Sequence, residues 1–202
     1  MVLITLCVAH GAQAQGVSII PTVGFSKDMR SVTSNRWNAG LNFGAGIFFK
    51  RSDALSIGGR IAYHNWSADG AGWAKDEAEN QGVSSYNLES STGKQSVIEI
   101  VPSVQYALTR GESKVKVAAQ VGVGMFLVHQ GEVSISGTFS APGSSGHGNF
   151  TYGKTSLTCM GVQVGLPVTI SGVVQVMPLY SLYFSGDAYH HIALNVGVVL
   201  GK

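Results

Sequence analysis

The sequence predicts an all-β fold, an eight-stranded antiparallel up-and-down transmembrane β-barrel. Three observations carry that prediction: apolar residues recur with period two in eight stretches, charge is scarce, and short connections alternate with long ones. The stretch WNAGLNFGAGIFFK, residues 37–50, shows the period most plainly. Trp37, Ala39, Leu41, Phe43, Ala45, Ile47 and Phe49 alternate with Asn38, Gly40, Asn42, Gly44 and Gly46, so an extended strand turns the bulky set one way and the small set the other.

A half-buried strand of a soluble protein would answer its apolar face with charge. Here charged residues are only 12% of the chain, whereas 27 of its 202 residues are glycine. So little charge covers a water-facing surface poorly, which disfavours the rival from another class, a soluble lipocalin-like barrel with an apolar ligand inside. The net charge of +2, without a Lys/Arg run, excludes nucleic acid as a partner.

The eight expected strands are 17–26, 37–50, 54–67, 95–108, 114–128, 154–169, 173–185 and 191–201. The third offers Leu55, Ile57, Ile61 and Tyr63 on one parity, the fifth Val115, Val117, Val121, Val123, Met125 and Leu127, and the last Ile192, Leu194, Val196, Val198 and Leu200. Residues 155–186 carry no charge, yet Pro167, Pro178, the glycines and the β-branched residues argue against a membrane helix, and Ser171-Gly172 splits the run into two strands. Short turns near 51–53, 109–113 and 170–172 alternate with long linkers at 27–36, 68–94 and 129–153, as expected when one barrel end faces the periplasm and the other the outside.

The N-terminal MVLITLCVAHGAQAQ holds a short apolar run and a small-x-small site, Ala12-Gln13-Ala14. Residues 1–14 are therefore expected to be a signal peptide, 15–202 the barrel domain, and the destination the cell outer membrane. Cys159 is then the sole mature cysteine, which excludes a disulfide framework and a cysteine-based metal site.

Lipid offers backbone amides no partner, so a sheet crosses it only by closing on itself, and a basic side chain facing the bilayer midplane costs roughly 2–4 kcal/mol. Arg60, Glu99 and Lys116, the charges well inside strands, all fall on the small and polar parity, and the other charges sit in turns, loops or strand ends. Glycines on that parity relieve crowding in a lumen just wide enough for side chains. Phe25, Trp37 and Phe184 toward the long-loop end, with Phe49 and Tyr106 toward the short-turn end, are expected to form the aromatic girdles.

With the Ala12-Gln13-Ala14 site, eight alternating strands such as IALNVGVVL at 192–200, and the turn and loop asymmetry, the chain resembles the small outer-membrane barrels of the OmpA-transmembrane-domain and OmpX kind. It departs from them in ending on Leu200-Gly201-Lys202 rather than on an aromatic residue. The resemblance implies a non-enzymatic, monomeric, porin-like barrel in contact with outer-membrane lipid, with a structural or surface-interaction role through its long loops.

Inside the barrel, Arg60, His64, Glu99, Gln120 and Gln163 are expected to form a polar lumen cluster, flanked by Asn42 and Asn195, in which buried charges satisfy one another. An enzyme acting on lipid A is the third alternative. His64 is followed by Asn65-Trp66 rather than by serine at the second place, and Asp187, His190 and His191, read as an outer-rim group, have no serine at a matching spacing and no third metal ligand beside them. No catalytic, cofactor-binding or metal residue is expected. Linker 129–153 alternates at Val133, Ile135 and Phe139, breaks at Pro142-Gly143, and resumes at Phe150 and Tyr152, which predicts a hairpin continuing strands five and six. Linker 68–94 reads as a mobile external loop. These two segments are where a protein or surface ligand would bind.

Overall fold

The sheet closes. In the computed structural model, which describes residues 16–29, 36–83, 85–109, 111, 113–141 and 143–201, neighbouring strands pair antiparallel all the way round. The wall consists of β1 (Val17–Asp28), β2 (Gly40–Lys50), β3 (Leu55–Ser67), β5 (Lys94–Ala107), β6 (Val115–Gln130), β9 (Thr155–Gly165) continued by β10 (Val168–Ile170), β11 (Val174–Ser185) and β12 (Asp187–Val198). Leu166-Pro167 interrupts the sixth wall strand, because proline has no N–H for the ladder; β9 and β10 nonetheless pair with the same two neighbours, β6 and β11. The last wall strand, β12, returns to β1 with Gly24 opposite Asn195, which seals the barrel. The 1–14 segment lies outside the described residues.

The orientation of the two faces decides between membrane and soluble barrels. Outward residues are large, apolar and exposed along every wall strand: Val23 is 59% exposed, Phe43 56%, Ile61 52% and Leu194 53%. Arg60, Glu99, Gln163 and Asn195 are buried inside. A soluble barrel would reverse this. The chain is an outer-membrane-type β-barrel, and the soluble ligand-binding alternative is excluded by its oily exterior.

Of the aromatics expected at the interfaces, Phe25, Phe49, Tyr106 and Phe184 are exposed on the outer face. Trp37 is not: it is 1% exposed, bridged to Ala68, and its ring meets that of Trp73 edge-on at 5.8 Å. The alternation is lost at Asn38-Ala39, before β2 begins at Gly40, so Trp37 does not share the outward parity of Leu41. Lys116 is exposed near the short-turn end, opposite Thr169, rather than deep in the lumen.

The long linkers fold into a second layer. Linker 68–94 holds α1 (Gly70–Gln81) and β4 (Ser85–Thr92), where a loop was expected. Asp69 caps the helix by accepting from the amides of Ala71 and Gly72. The helix has scant amphipathic pattern, which hid it from periodicity; Trp73 docks it, packing on Tyr152 at 4.6 Å with the Arg36 guanidinium 4.7 Å above its ring. The expected hairpin exists as β7 (Val133–Ala141) and β8 (Ser144–Tyr152), but β6 ends at Gln130 and the hairpin joins β4 in a separate three-stranded sheet, β4-β7-β8.

One apolar core runs from this head into the barrel. Trp73, Ala74, Val133 and Ile135 from the head meet Trp66, Val97, Val101, Phe126, Cys159 and Tyr183 from the inner wall. The inner face is thus apolar toward the long-loop end, where glycine and polar residues alone were expected. Phe126 and Tyr183 stack at 4.8 Å across Gly161, where an added Cβ would lie 2.4 Å from the Leu182 carbonyl oxygen and 2.8 Å from Phe126. At the opposite end, Ser171 and Gly172 both take positive φ in the tight turn between β10 and β11.

Gly161→Val therefore pushes the inner wall apart and is expected to abolish the compact, fast-migrating band that a folded barrel gives in an unboiled gel sample. Trp73→Ala is expected to leave that band intact while costing the head about 3–5 kcal/mol, read as faster protease cleavage within 68–94.

Candidate functional site

The inward parity of β3, β5, β9, β11 and β12 brings polar side chains together just below the aromatic layer. Glu99, fully buried, is the hub. Gln163 donates to its Oε2 at 2.9 Å and Ser181 to its Oε1 at 3.1 Å, and Gln163 also donates to Ser181 at 3.1 Å. His191 Nε2 lies 2.8 Å and His64 Nε2 3.4 Å from Oε1, while Arg60 Nη1 lies 3.8 Å from Oε2. A carboxylate and a guanidinium removed from water need this company, since each alone would cost several kcal/mol.

A second ring holds the imidazoles. Ser26 Oγ is 2.9 Å from His64 Nδ1, and the Trp66 indole donates to the Ser26 carbonyl at 2.9 Å. Trp66 lies stacked on His64 at 5.6 Å and tilted on His191 at 5.5 Å, and His64 and His191 are 4.6 Å apart, centre to centre. The site is therefore walled by rings as well as by hydrogen bonds.

Arg60, His64, Glu99 and Gln163, expected in one cluster, are brought together. Gln120 is not among them: its Oε1 accepts from Gln105 at 2.9 Å, nearer the short turns. Asn42 and Asn195 are buried, but neither side chain has a hydrogen-bond partner among the described residues. Four members were not foreseen. Ser26, Trp66 and Ser181 carried no signal beyond their inward parity, and His191, read as a rim residue, shares its parity with Ala193 and Asn195, the signal that could have placed it inside. His190, the neighbour on the opposite parity, has its Nδ1 3.1 Å from the Tyr180 hydroxyl.

Ser26, His64 and Glu99 stand in the order nucleophile, base and acid. All three are at most 3% exposed; Ser26 and His64 share a hydrogen bond, whereas His64 Nε2 stands 3.4 Å from Glu99 without one among the described residues. His64, Glu99 and His191 also offer three ligand-type atoms within 4.8 Å of one another.

Outside the membrane, the head is acidic. Residues 69–92 carry Asp69, Asp76, Glu77, Glu79 and Glu89 against Lys75, and 133–152 carry no Asp, Glu, Lys or Arg. Arg36 pairs with Asp76, and the Tyr152 hydroxyl donates to Glu77. Burial and the Glu77 carboxylate push the Tyr152 phenol well above its ordinary pKa, so it stays a donor to Glu77 throughout the physiological range.

No protein-family model and no curated protein matches the chain. Among solved structures, it is similar to Ail, the attachment invasion locus protein of Yersinia pestis, crystallised with the heparin analogue sucrose octasulfate (14% identity, TM-score 0.49, 92% of this chain and 99% of that one). It is also similar to Neisserial surface protein A (16%, TM-score 0.45, 91% and 96%) and to the outer-membrane enzyme PagL (12%, TM-score 0.42, 90% and 98%). At such identities the likeness is one of fold and extends to no activity.

Glu99→Ala strands Arg60 in the lumen and is expected to cost about 3–5 kcal/mol, measured by urea unfolding in lipid vesicles. The Glu99→Ala, Arg60→Met double variant is expected to recover part of that loss; equal losses in both would show that the two charges do not depend on each other.

Proposed function

We propose that the protein is a non-enzymatic outer-membrane barrel with a structural and surface-interaction role, in which a plugged barrel holds a folded head outside the cell. The continuous core from Trp73 and Ile135 into Phe126 and Tyr183 carries this reading. A pore would need water where these side chains pack. A loop waiting for a partner would need no such anchoring, whereas a rigid head presents a defined surface at no further ordering cost when it binds.

The surface best suited to a partner is β8. It is an edge of the three-stranded sheet, it is exposed over Ser144–His147, and its length in extended form could add a strand from another protein. The acid excess of the head favours a neutral or basic partner over a polyanion. The enclosed Ser26, His64 and Glu99 support no catalytic role.

Topology provides the test. Lys75→Cys on the head is expected to react with a membrane-impermeant maleimide on intact cells, and Lys50→Cys near the short turns only after the outer membrane is permeabilised; buried Cys159 contributes no background. In planar bilayers the purified protein is expected to pass no steady ion current. Labelling of Lys50→Cys alone on intact cells, or a stable conductance, overturns the reading.

A further inference from the structure

We propose that His64, Glu99 and His191 form a binding site for one divalent transition-metal ion of the zinc class, buried in the barrel lumen. The side chains come from three strands, β3, β5 and β12, so the site exists only in the closed barrel. Two imidazoles and one carboxylate suit zinc, cobalt or nickel better than magnesium or calcium, which prefer oxygen throughout.

The distances and the unpaired nitrogens point to a shared ligand. Metal bonds of about 2.0–2.2 Å put neighbouring ligand atoms roughly 2.8–3.6 Å apart between right-angled and tetrahedral geometry, and the two Nε2 atoms lie 2.8 and 3.4 Å from Glu99 Oε1. A hydrogen bond would aim the ring N–H along those lines. Among the described residues neither Nε2 makes a hydrogen bond, although both rings are at most 1% exposed. Both nitrogens are thus left for another partner, which one shared ion would supply.

The surroundings suit ligation too. Ser26 Oγ can accept a hydrogen bond from His64 Nδ1–H, the tautomer that leaves the Nε2 lone pair for metal with the ring neutral. Ser181 and Gln163 hold the carboxylate in place, and Trp66 walls the rings. Arg60 offsets the charge of Glu99, so a divalent ion adds two positive charges to the cluster and an anionic ligand, hydroxide or chloride, reduces that excess to one; the Arg60 guanidinium nitrogens, without a hydrogen bond among the described residues, are available to that ligand.

The test uses the full chain, folded into detergent micelles in the presence of Zn²⁺ or Co²⁺ because the site is enclosed, with folding verified by heat-modifiable mobility. After gel filtration, elemental analysis is expected to find one metal per chain, and Co²⁺ to show the visible bands of a low-symmetry nitrogen and oxygen site. His64→Gln and His191→Gln are expected to lose the metal, Ser26→Ala to weaken it on the order of 10- to 100-fold, and His190→Gln to keep it. X-ray absorption of the zinc-loaded wild type, which needs no variant to fold, is expected to show two imidazoles. Folded wild type without metal, loss of the metal with His190→Gln, or a shell with fewer than two imidazoles overturns the proposal.

Discussion

Closing a sheet inside lipid forces every polar group that is not at a rim into a lumen one or two side chains wide. Glu99 and Arg60 are consequences of that constraint. Neither can face hydrocarbon, so both turn inward, and once inward they must satisfy each other or recruit neutral partners. Gln163 on one carboxylate oxygen, and Ser181, His64 and His191 at the other, show how many groups one buried anion gathers. The wall and its contents specify each other: a one-residue slip of β3 would send Arg60 into lipid and Ile61 into the lumen.

The lumen is divided by chemistry along its axis. Toward the short turns Gln120 and Gln175 share the lumen with Phe48, Met177 and Leu179, the charged cluster sits in the middle, and Phe126, Tyr183 and Trp66 close it toward the long loops. This apolar layer has a structural consequence. It lets the helix and the three-stranded sheet fuse to the barrel through Trp73, Val133 and Ile135, so that segments which could have been floppy loops inherit the stability of the wall. Arg36 on Asp76 and Tyr152 on Glu77 complete the attachment with polar contacts at its margin.

The same enclosure that stabilises the cluster governs its chemistry. The serine, imidazole and carboxylate that stand in a row here lie beneath the packing of the barrel, the serine only 3% exposed. Enclosure favours groups that exchange slowly or never, which is the behaviour of a structural strut or of a tightly held ion. The head, by contrast, is where an exchangeable partner can meet the protein, and its acid surplus narrows the chemistry of that partner.

The fold was legible in the sequence because lipid imposes the same period-two rule on every wall strand, and because charge tolerates only one parity; Arg60, His64 and Glu99 could be set facing one lumen from those rules alone. What the sequence could not determine were relations that depend on shear and on chain segments without period. His191 joins Glu99 across the seam of the barrel, a neighbourhood set by strand stagger rather than by spacing along the chain. Trp37 turns inward because the chain breaks its alternation just before β2, and α1 lacks a helical stripe because one tryptophan anchors it. Local pattern reports which face a residue takes; only closure in three dimensions decides which other residue it meets there.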